Sequence, residues 1–266
     1  MRSCVAAGAF LLAGVSGAAA GGGDYYAMPA QWTGLYVGAH AGYADGGWDL
    51  NLSAPGSWSV FYNDQYIPAN RSLDDGSLFG GLQAGYNYQV GSLVFGLETD
   101  VSWADLNADG TFTSKTTGAC APNSCTQWKV NTSLDVFGTV RGRLGYANGS
   151  LLIYGTAGLA WGQAEISVAA SHNGPNFPDQ GARVSGDFNH IGWTAGGGME
   201  WQFAPNWSLK AEYLYIDLGS EKYVPTGTTT PTSTTPWNEY IPAELDFHTA
   251  RIGINYRFGD YRAPLK

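Results

Sequence analysis

The sequence predicts an all-β fold, an eight-stranded antiparallel barrel that spans a membrane. Hydrophobic and polar residues alternate with a period of two through eight segments, which indicates strands with two different faces. The connections between these segments are alternately long and short. Charged residues make up only 13% of the chain, against about 25% in ordinary globular domains. Past residue 20, no continuous apolar run approaches the ~18 residues that a membrane-spanning helix needs.

The last regular segment, residues 246–258, shows the alternation most clearly. One face carries Ala250, Ile252, Ile254, Tyr256 and Phe258, and the other carries Thr249, Arg251, Gly253, Asn255 and Arg257. Charged side chains are rarely buried in a soluble core unless they are paired. This strand therefore fits a position between lipid on one side and a polar lumen on the other.

Seven earlier segments complete the predicted barrel: residues 32–43, 77–88, 93–103, 132–146, 151–166, 188–203 and 207–218. Short turns are expected at 89–92, 147–150 and 204–206, and Asn148-Gly149 is a strong hairpin signal. Long loops are expected at 44–76, 104–129, 167–186 and 219–244. Bacterial outer-membrane barrels place short turns in the periplasm and long loops outside the cell. The sequence predicts the same orientation here, with four extracellular loops.

Charge separates the two faces of these strands. The face with the large apolar residues carries almost no Asp, Glu, Lys or Arg, which is the reverse of a soluble barrel that binds ligands in an apolar interior. We predict an interior charge network formed by Glu98, Asp100, Asp135, Arg141, Arg143, Glu200, Lys210, Glu212, Arg251 and Arg257. Five acids balance five bases in this set. Because charges at membrane depth persist only when paired or hydrated, we expect a salt-bridged plug.

The two ends of the chain are predicted to lie outside the barrel. Residues 1–20 have a positive start, an apolar run and an Ala-Ala-Ala end, which is typical of a secretory signal peptide. Residues 21–31 form a Gly-rich periplasmic leader, residues 32–258 the barrel, and residues 259–266 a C-terminal tail.

Cleavage of the signal peptide would leave two cysteines, Cys120 and Cys125, in the second long loop. A close pair in an exported, turn-rich segment favours a disulfide. The alternative is a metal site, but no His lies nearby in the sequence to complete one.

Several strand motifs resemble a known family. These are W-T-G-L-Y-V-G at 32–38, F-G-T-V-R-G-R-L-G-Y at 137–146, L-K-A-E-Y-L-Y at 209–215, D-L-G at 217–219 and N-Y-R-F at 255–258. Together they resemble the porin-family outer-membrane immunogenic proteins of alphaproteobacteria, in the opacity/OmpA-like barrel superfamily. The resemblance implies an eight-stranded outer-membrane barrel that the barrel-assembly machinery inserts through its last strand. The family's terminal aromatic assembly signal would correspond to Phe258, although eight residues follow it.

The sequence favours a non-enzymatic role in envelope structure and surface display. A small porin-like channel is the first alternative, because many glycines are expected to face the lumen. Surface adhesion or haem binding through the loops is the second, with His172 as the loop histidine. No nucleophile-elbow, zinc or nucleotide-binding motif is present, and no cofactor or metal is expected.

The expected partners are outer-membrane lipid and lipopolysaccharide. The net charge of −9 argues against binding to nucleic acid.

Overall fold

The structure is a computed structural model that describes residues 31–51, 70–115, 125–174, 177–223, 226–229 and 241–258. The predicted signal peptide, nearly all of the leader and the C-terminal tail lie outside the described residues, as does Cys120. No helix in the described part of the chain is long and apolar enough to cross a membrane.

Nine strands are described. They are β1 (Gly34–Asn51), β2 (Asn70–Val90), β3 (Leu93–Lys115), β4 (Cys125–Asn148), β5 (Leu151–Gly174), β6 (Phe177–Ala204), β7 (Trp207–Tyr223), β8 (Thr226–Thr229) and β9 (Ile241–Arg257). Eight of them pair antiparallel in chain order, and β9 pairs with β1 to close the sheet. The short β8 pairs with β6 outside this ring. The predicted eight-stranded antiparallel barrel is confirmed.

Tight turns join strands at one end of the barrel. Gly91 and Gly149 adopt φ values of 61° and 59°, a region that glycine enters without steric cost. Gly149 follows Asn148 in the turn between β4 and β5, as the Asn-Gly signal predicts. This end corresponds to the periplasmic end of bacterial barrels.

The strands at the other end are longer than the sequence pattern predicts. β6 has 28 residues, whereas a tilted membrane strand needs about 9–11. The predicted loops are correspondingly shorter, because β1 to β6 all continue into segments where the alternation fades. Strands beyond the membrane contact water rather than lipid. Their outer face therefore need not be apolar, and the alternation that marks a membrane strand fades.

Above the membrane the barrel wall divides into two sheets. The β2–β3 ladder ends at Phe79 and Ala104, and the β6–β7 ladder ends at Trp193 and Asp217. Beyond these pairs, β3, β4, β5 and β6 continue as one sheet and β2, β1, β9 and β7 as the other. Their inner faces bound the outer half of the lumen.

A bulge at Asp135 changes which residues of β4 face inward. The pairing of β4 with both of its neighbours skips this position, between Leu134 and Val136. On the extracellular side of the bulge, Leu134 is fully buried, although the uninterrupted alternation predicts that it faces lipid. A bulge adds one residue to one strand and shifts the side-chain alternation of that strand.

The outer surface is apolar at membrane depth and carries aromatic residues at both ends. Towards the short turns, the exposed aromatic side chains are Tyr86, Tyr88, Tyr146, Trp201, Phe203, Trp207 and Phe258. Trp103, Trp161 and Trp193 are exposed towards the long-strand end. Two such belts mark the lipid–water interfaces of an outer-membrane barrel.

Candidate functional site

The lumen contains a buried network of charged side chains. Four carboxylates and four cations are each at most 5% exposed: Glu98, Asp100, Glu200, Glu212, Arg141, Arg143, Lys210 and Arg251. All eight were predicted as interior charges. They project inward from β3, β4, β6, β7 and β9, so the closed barrel brings together residues that are up to 153 positions apart. The equal numbers of opposite charges leave no net charge in the network.

Glu98 is the centre of this network. Its carboxylate accepts a hydrogen bond from Arg141 Nη2 at 2.5 Å and two from Lys210 Nζ at 2.9 and 3.1 Å. The Tyr36 hydroxyl, from β1, donates a further hydrogen bond at 2.7 Å. Charge-assisted hydrogen bonds of this kind are the strong ones, and here they join β1, β3, β4 and β7 across the lumen.

Arg251 and Arg141 connect the other two central carboxylates. Arg251 Nε donates to Glu212 Oε2 at 2.7 Å, and Arg251 Nη2 lies 3.3 Å from Asp100 Oδ2. Arg141 Nη2 donates to the same Asp100 oxygen at 3.1 Å, and Arg141 Nη1 lies 3.1 Å from Glu212 Oε1. Each of these carboxylates therefore contacts two guanidinium groups.

Arg143 extends the network towards the periplasmic end. Its Nη2 donates to Glu200 Oε2 at 2.8 Å, and its guanidinium carbon lies 3.9 Å from the centre of the Tyr154 ring. Tyr154 also donates a hydrogen bond to Glu212 Oε1 at 2.8 Å. The ring and the carboxylate together compensate the desolvation of a charge in a closed interior.

Two predicted members lie apart from the network. Asp135 is exposed at its bulge rather than inward-facing, because the bulge changes the alternation at that residue. Arg257 lies near the turns, where its guanidinium donates to the carbonyl oxygens of Thr33 and Pro205. Asn255 is the last residue of β9 that is buried in the lumen, and Arg257 lies two residues beyond it.

Trp32 closes the periplasmic end of the lumen. Its side chain is 3% exposed and packs in a cluster with Val94, Ala147, Leu152 and Tyr154. Its backbone N–H donates to Gln89 Oε1 at 2.8 Å, and its indole N–H donates to the Gly149 carbonyl at 3.3 Å. The segment before β1 is thus attached to the end of β2 and to the turn between β4 and β5.

An apolar layer closes the outer half of the lumen. Phe79, Phe137 and Phe247 form an edge-to-face row with centroid distances of 5.4 and 5.2 Å. Buried aliphatic residues pack in the same cluster: Ala44, Leu106, Ala108, Leu134, Ala160, Ala164, Leu214, Ile216, Leu218 and Leu245. Period-two alternation alone does not predict this layer, because it assigns one polar inward face along the whole length of each strand. The inward positions of β7 give the signal, since they change from Lys210 and Glu212 to Leu214 and Ile216.

Three inward glycines lie against large side chains. A Cβ atom at Gly85 would lie 2.4 Å from the Tyr36 hydroxyl, and one at Gly81 would lie 2.5 Å from His40 Nε2. A Cβ at Gly96 would lie 2.6 Å from the Arg143 side chain. The space beside these glycines is therefore occupied.

Cys125 and His172 lie on the neighbouring strands β4 and β5. Cys125 begins β4 and pairs with Lys115 and Asn173, while its predicted disulfide partner is outside the described residues. His172 belongs to β5 rather than to a loop, because that strand continues to Gly174. The part of the chain that the structure describes contains no group of three or more His, Cys, Asp or Glu placed to hold a metal ion.

The outer membrane protein beta-barrel domain family matches residues 6–258. The chain belongs to this family. It is 35% identical to the 31 kDa outer-membrane immunogenic protein of Brucella melitensis, over 86% of this chain and 84% of that protein. It is also 30% identical to a 22 kDa outer membrane protein of Rhizobium leguminosarum, over 63% of this chain and 68% of that protein. The predicted family and the outer-membrane location are confirmed.

Solved structures align with this chain more distantly. OprG from Pseudomonas aeruginosa aligns with a TM-score of 0.44 and 14% identity, over 88% of this chain and all of that chain. The outer membrane protease OmpT from Escherichia coli aligns with a TM-score of 0.36 and 10% identity, over 85% and 97% of the two chains. Likeness at this level carries no information about activity.

Proposed function

We propose that this protein is a closed, non-enzymatic outer-membrane barrel. It strengthens the envelope and presents its extracellular strands and loops at the cell surface. The observation that carries the proposal is closure of the lumen at three depths. Trp32 occupies the periplasmic end, the neutral charge network fills the middle, and the Phe79–Phe137–Phe247 row lies in the outer half. An eight-stranded barrel is narrow enough for side chains to fill it.

The charge network supports a structural role more than a conducting one. Ion conduction needs sites that bind an ion and then release it. In this lumen every charged group of the network contacts an opposite charge of the protein itself, and the two signs balance. The network also connects strands from around the barrel, so it fixes their register.

The strands beyond the outer aromatic belt support surface display. β4 begins at Cys125, and its residue that pairs with Trp103 of the outer aromatic belt is Val136. The part of β4 before Val136 therefore lies on the extracellular side of the belt. Its partner β5 continues to Gly174 on the same side. The barrel wall therefore continues outside the membrane as folded sheet, with a surface that is reachable from the medium.

Planar-bilayer recording of the purified, refolded barrel tests the closed state, with folding checked by the heat-dependent gel shift. We expect no conductance from the wild type. A general-diffusion porin, refolded and recorded in the same way, is the positive control that shows whether the assay detects an open lumen. Reproducible wild-type steps that change with Arg141→Ala or Glu212→Ala would overturn the proposal in favour of a narrow pore.

Two experiments in cells test the other half of the proposal. Deletion of the gene should increase sensitivity to detergent, and the wild-type gene should restore resistance. An epitope inserted at residues 175–176 should bind antibody on intact cells. Unchanged detergent resistance together with an inaccessible epitope would contradict both roles.

A further inference from the structure

A row of four rings crosses the outer surface of β6, β7 and β9 at the extracellular aromatic belt. Trp193 and Tyr215 have ring centroids 5.3 Å apart, and Tyr215 and His248 lie 5.0 Å apart. Tyr213 stacks on His248 at 5.8 Å, and its hydroxyl lies 2.6 Å from His248 Nδ1. Trp193 and Tyr213 are each about half exposed. The row thus presents aromatic faces at the depth of lipid headgroups.

Two carboxylates lie on the extracellular side of this row. Asp217 and Asp246 are direct neighbours in the β7–β9 ladder. The Trp193 indole N–H donates to Asp217 Oδ2 at 3.1 Å, and the Tyr215 hydroxyl donates to Asp246 Oδ2 at 3.4 Å. Both carboxylates are partly exposed. The rings and the negative charges are therefore parts of one surface.

The charge of this surface favours a cation. Burial raises the pKa of Asp246, and the nearby carboxylates of Asp217 and Asp49 raise that pKa further. Among the Lys and Arg side chains that the structure describes, five lie in the lumen or at its periplasmic end and Lys129 lies on β4. Aromatic faces beside carboxylates are the groups that recognise organic ammonium ions.

A trough of small residues on the lipid-facing surface begins directly below Trp193. It consists of Ala195 and Gly197 on β6 and of Gly155 and Ala157 on β5, which pair across the ladder. Tyr213 and Tyr215 border it on β7. A Cβ atom at Gly155 would meet only the Gly196 carbonyl oxygen, at 3.9 Å. The trough is open to the membrane and leads from the ring row towards the bilayer centre.

We propose that this surface binds a membrane lipid with an ammonium headgroup, with the headgroup at the rings and carboxylates and one acyl chain in the trough. An ordinary aromatic belt does not require a pair of carboxylates beside it or a trough of small residues below it. Here the two features are continuous and lie at the depths where a lipid has its charged and apolar parts. The partner is thus a zwitterionic lipid rather than a soluble cation.

Native mass spectrometry of the barrel tests this proposal, after release from nanodiscs with equal amounts of phosphatidylcholine and phosphatidylglycerol of identical chains. We expect the wild type to retain phosphatidylcholine roughly two- to fivefold more than phosphatidylglycerol, from the strength of exposed cation–π contacts. Asp246→Asn and Asp217→Asn should each move the ratio towards one. Folding of every variant is checked by the heat-dependent gel shift.

Filling the trough provides an independent test. Gly155→Leu should reduce retention of both lipids, because its side chain would occupy the place of the acyl chain. Gly80→Leu is the matched control: it lies on β2, and a Cβ there would meet only the His40 carbonyl oxygen, at 3.7 Å. A wild-type ratio near one would overturn the proposal. So would a ratio that both Asp variants leave unchanged, or equal lipid retention by the Gly155→Leu and Gly80→Leu variants.

Discussion

Replacing Glu98 with Gln is the most direct test of the charge network. The substitution keeps the size of the side chain and removes one of the four carboxylates, which leaves three against four cations. Arg141 and Lys210 both donate to Glu98, and both are fully buried. The Gln amide nitrogen is itself a hydrogen-bond donor, so it could not accept the hydrogen bonds that Arg141 and Lys210 donate to the Glu98 carboxylate.

The expected loss of unfolding free energy is about 3–5 kcal/mol, the usual cost of removing one partner from a buried ion pair. Lys210 keeps only its contact to Glu212, at 3.8 Å, which is longer than the contact to Glu98 that it loses, at 2.9 Å. Such a loss is a large share of the ~5–15 kcal/mol that holds an ordinary domain folded.

Urea unfolding of the barrel in lipid vesicles, followed by tryptophan fluorescence, measures this loss. Glu165→Gln is the matched control, because Glu165 is an exposed carboxylate on β5 and its replacement should change stability by less than about 0.5 kcal/mol. The double variant Glu98→Gln with Lys210→Met restores charge balance and should recover part of the loss. A loss below about 1 kcal/mol, or one equal to that of the control, would refute the structural role of the network.

Three further results are expected. Phe137→Ala should lower the unfolding free energy by about 3–5 kcal/mol, because it leaves a cavity in the outer apolar layer; an unchanged urea midpoint would show that the layer does not pack as described. Gly85→Ala should cost about 1–3 kcal/mol by the same assay, since its methyl group would collide with the Tyr36 hydroxyl, whereas Gly155→Ala has open space and should be nearly neutral. Asp246→Asn should raise the melting temperature at pH 7: its raised pKa means that the ionised form is disfavoured in the folded state, so the variant's advantage should vanish as pH falls below about 4. An advantage that persists at pH 3 would contradict that account.

The sequence by itself determined the class of fold. Alternation of period two assigned a lipid face and a lumen face to each strand, because successive side chains of a strand point to opposite sides. The same rule identified the inward positions of Glu98, Arg141 and Lys210, which are close together only after the barrel closes. The short turn at Asn148-Gly149 was also visible, because glycine tolerates the positive φ that the turn requires.

The tertiary structure decided the details that depend on neighbouring strands. The bulge at Asp135 is a feature of pairing between strands, so no local pattern distinguishes it from an ordinary inward position. The strand ends beyond the membrane are likewise set by their partners, since water on the outside removes the hydrophobic signal. Which cation contacts which carboxylate follows from the register and the barrel's closure, and neither can be read from a single strand.

The division of the lumen into three layers shows the same limit. The sequence pattern predicts that the first strand begins at Trp32, whereas β1 begins at Gly34, and only the closed barrel shows that the Trp32 side chain packs on Val94 and Leu152. Phe79, Phe137 and Phe247 come from three different strands and form one row across the interior. Period-two alternation gives the side of the sheet on which a residue lies. The depth at which residues meet depends on the stagger between strands, and that is a property of the assembled barrel.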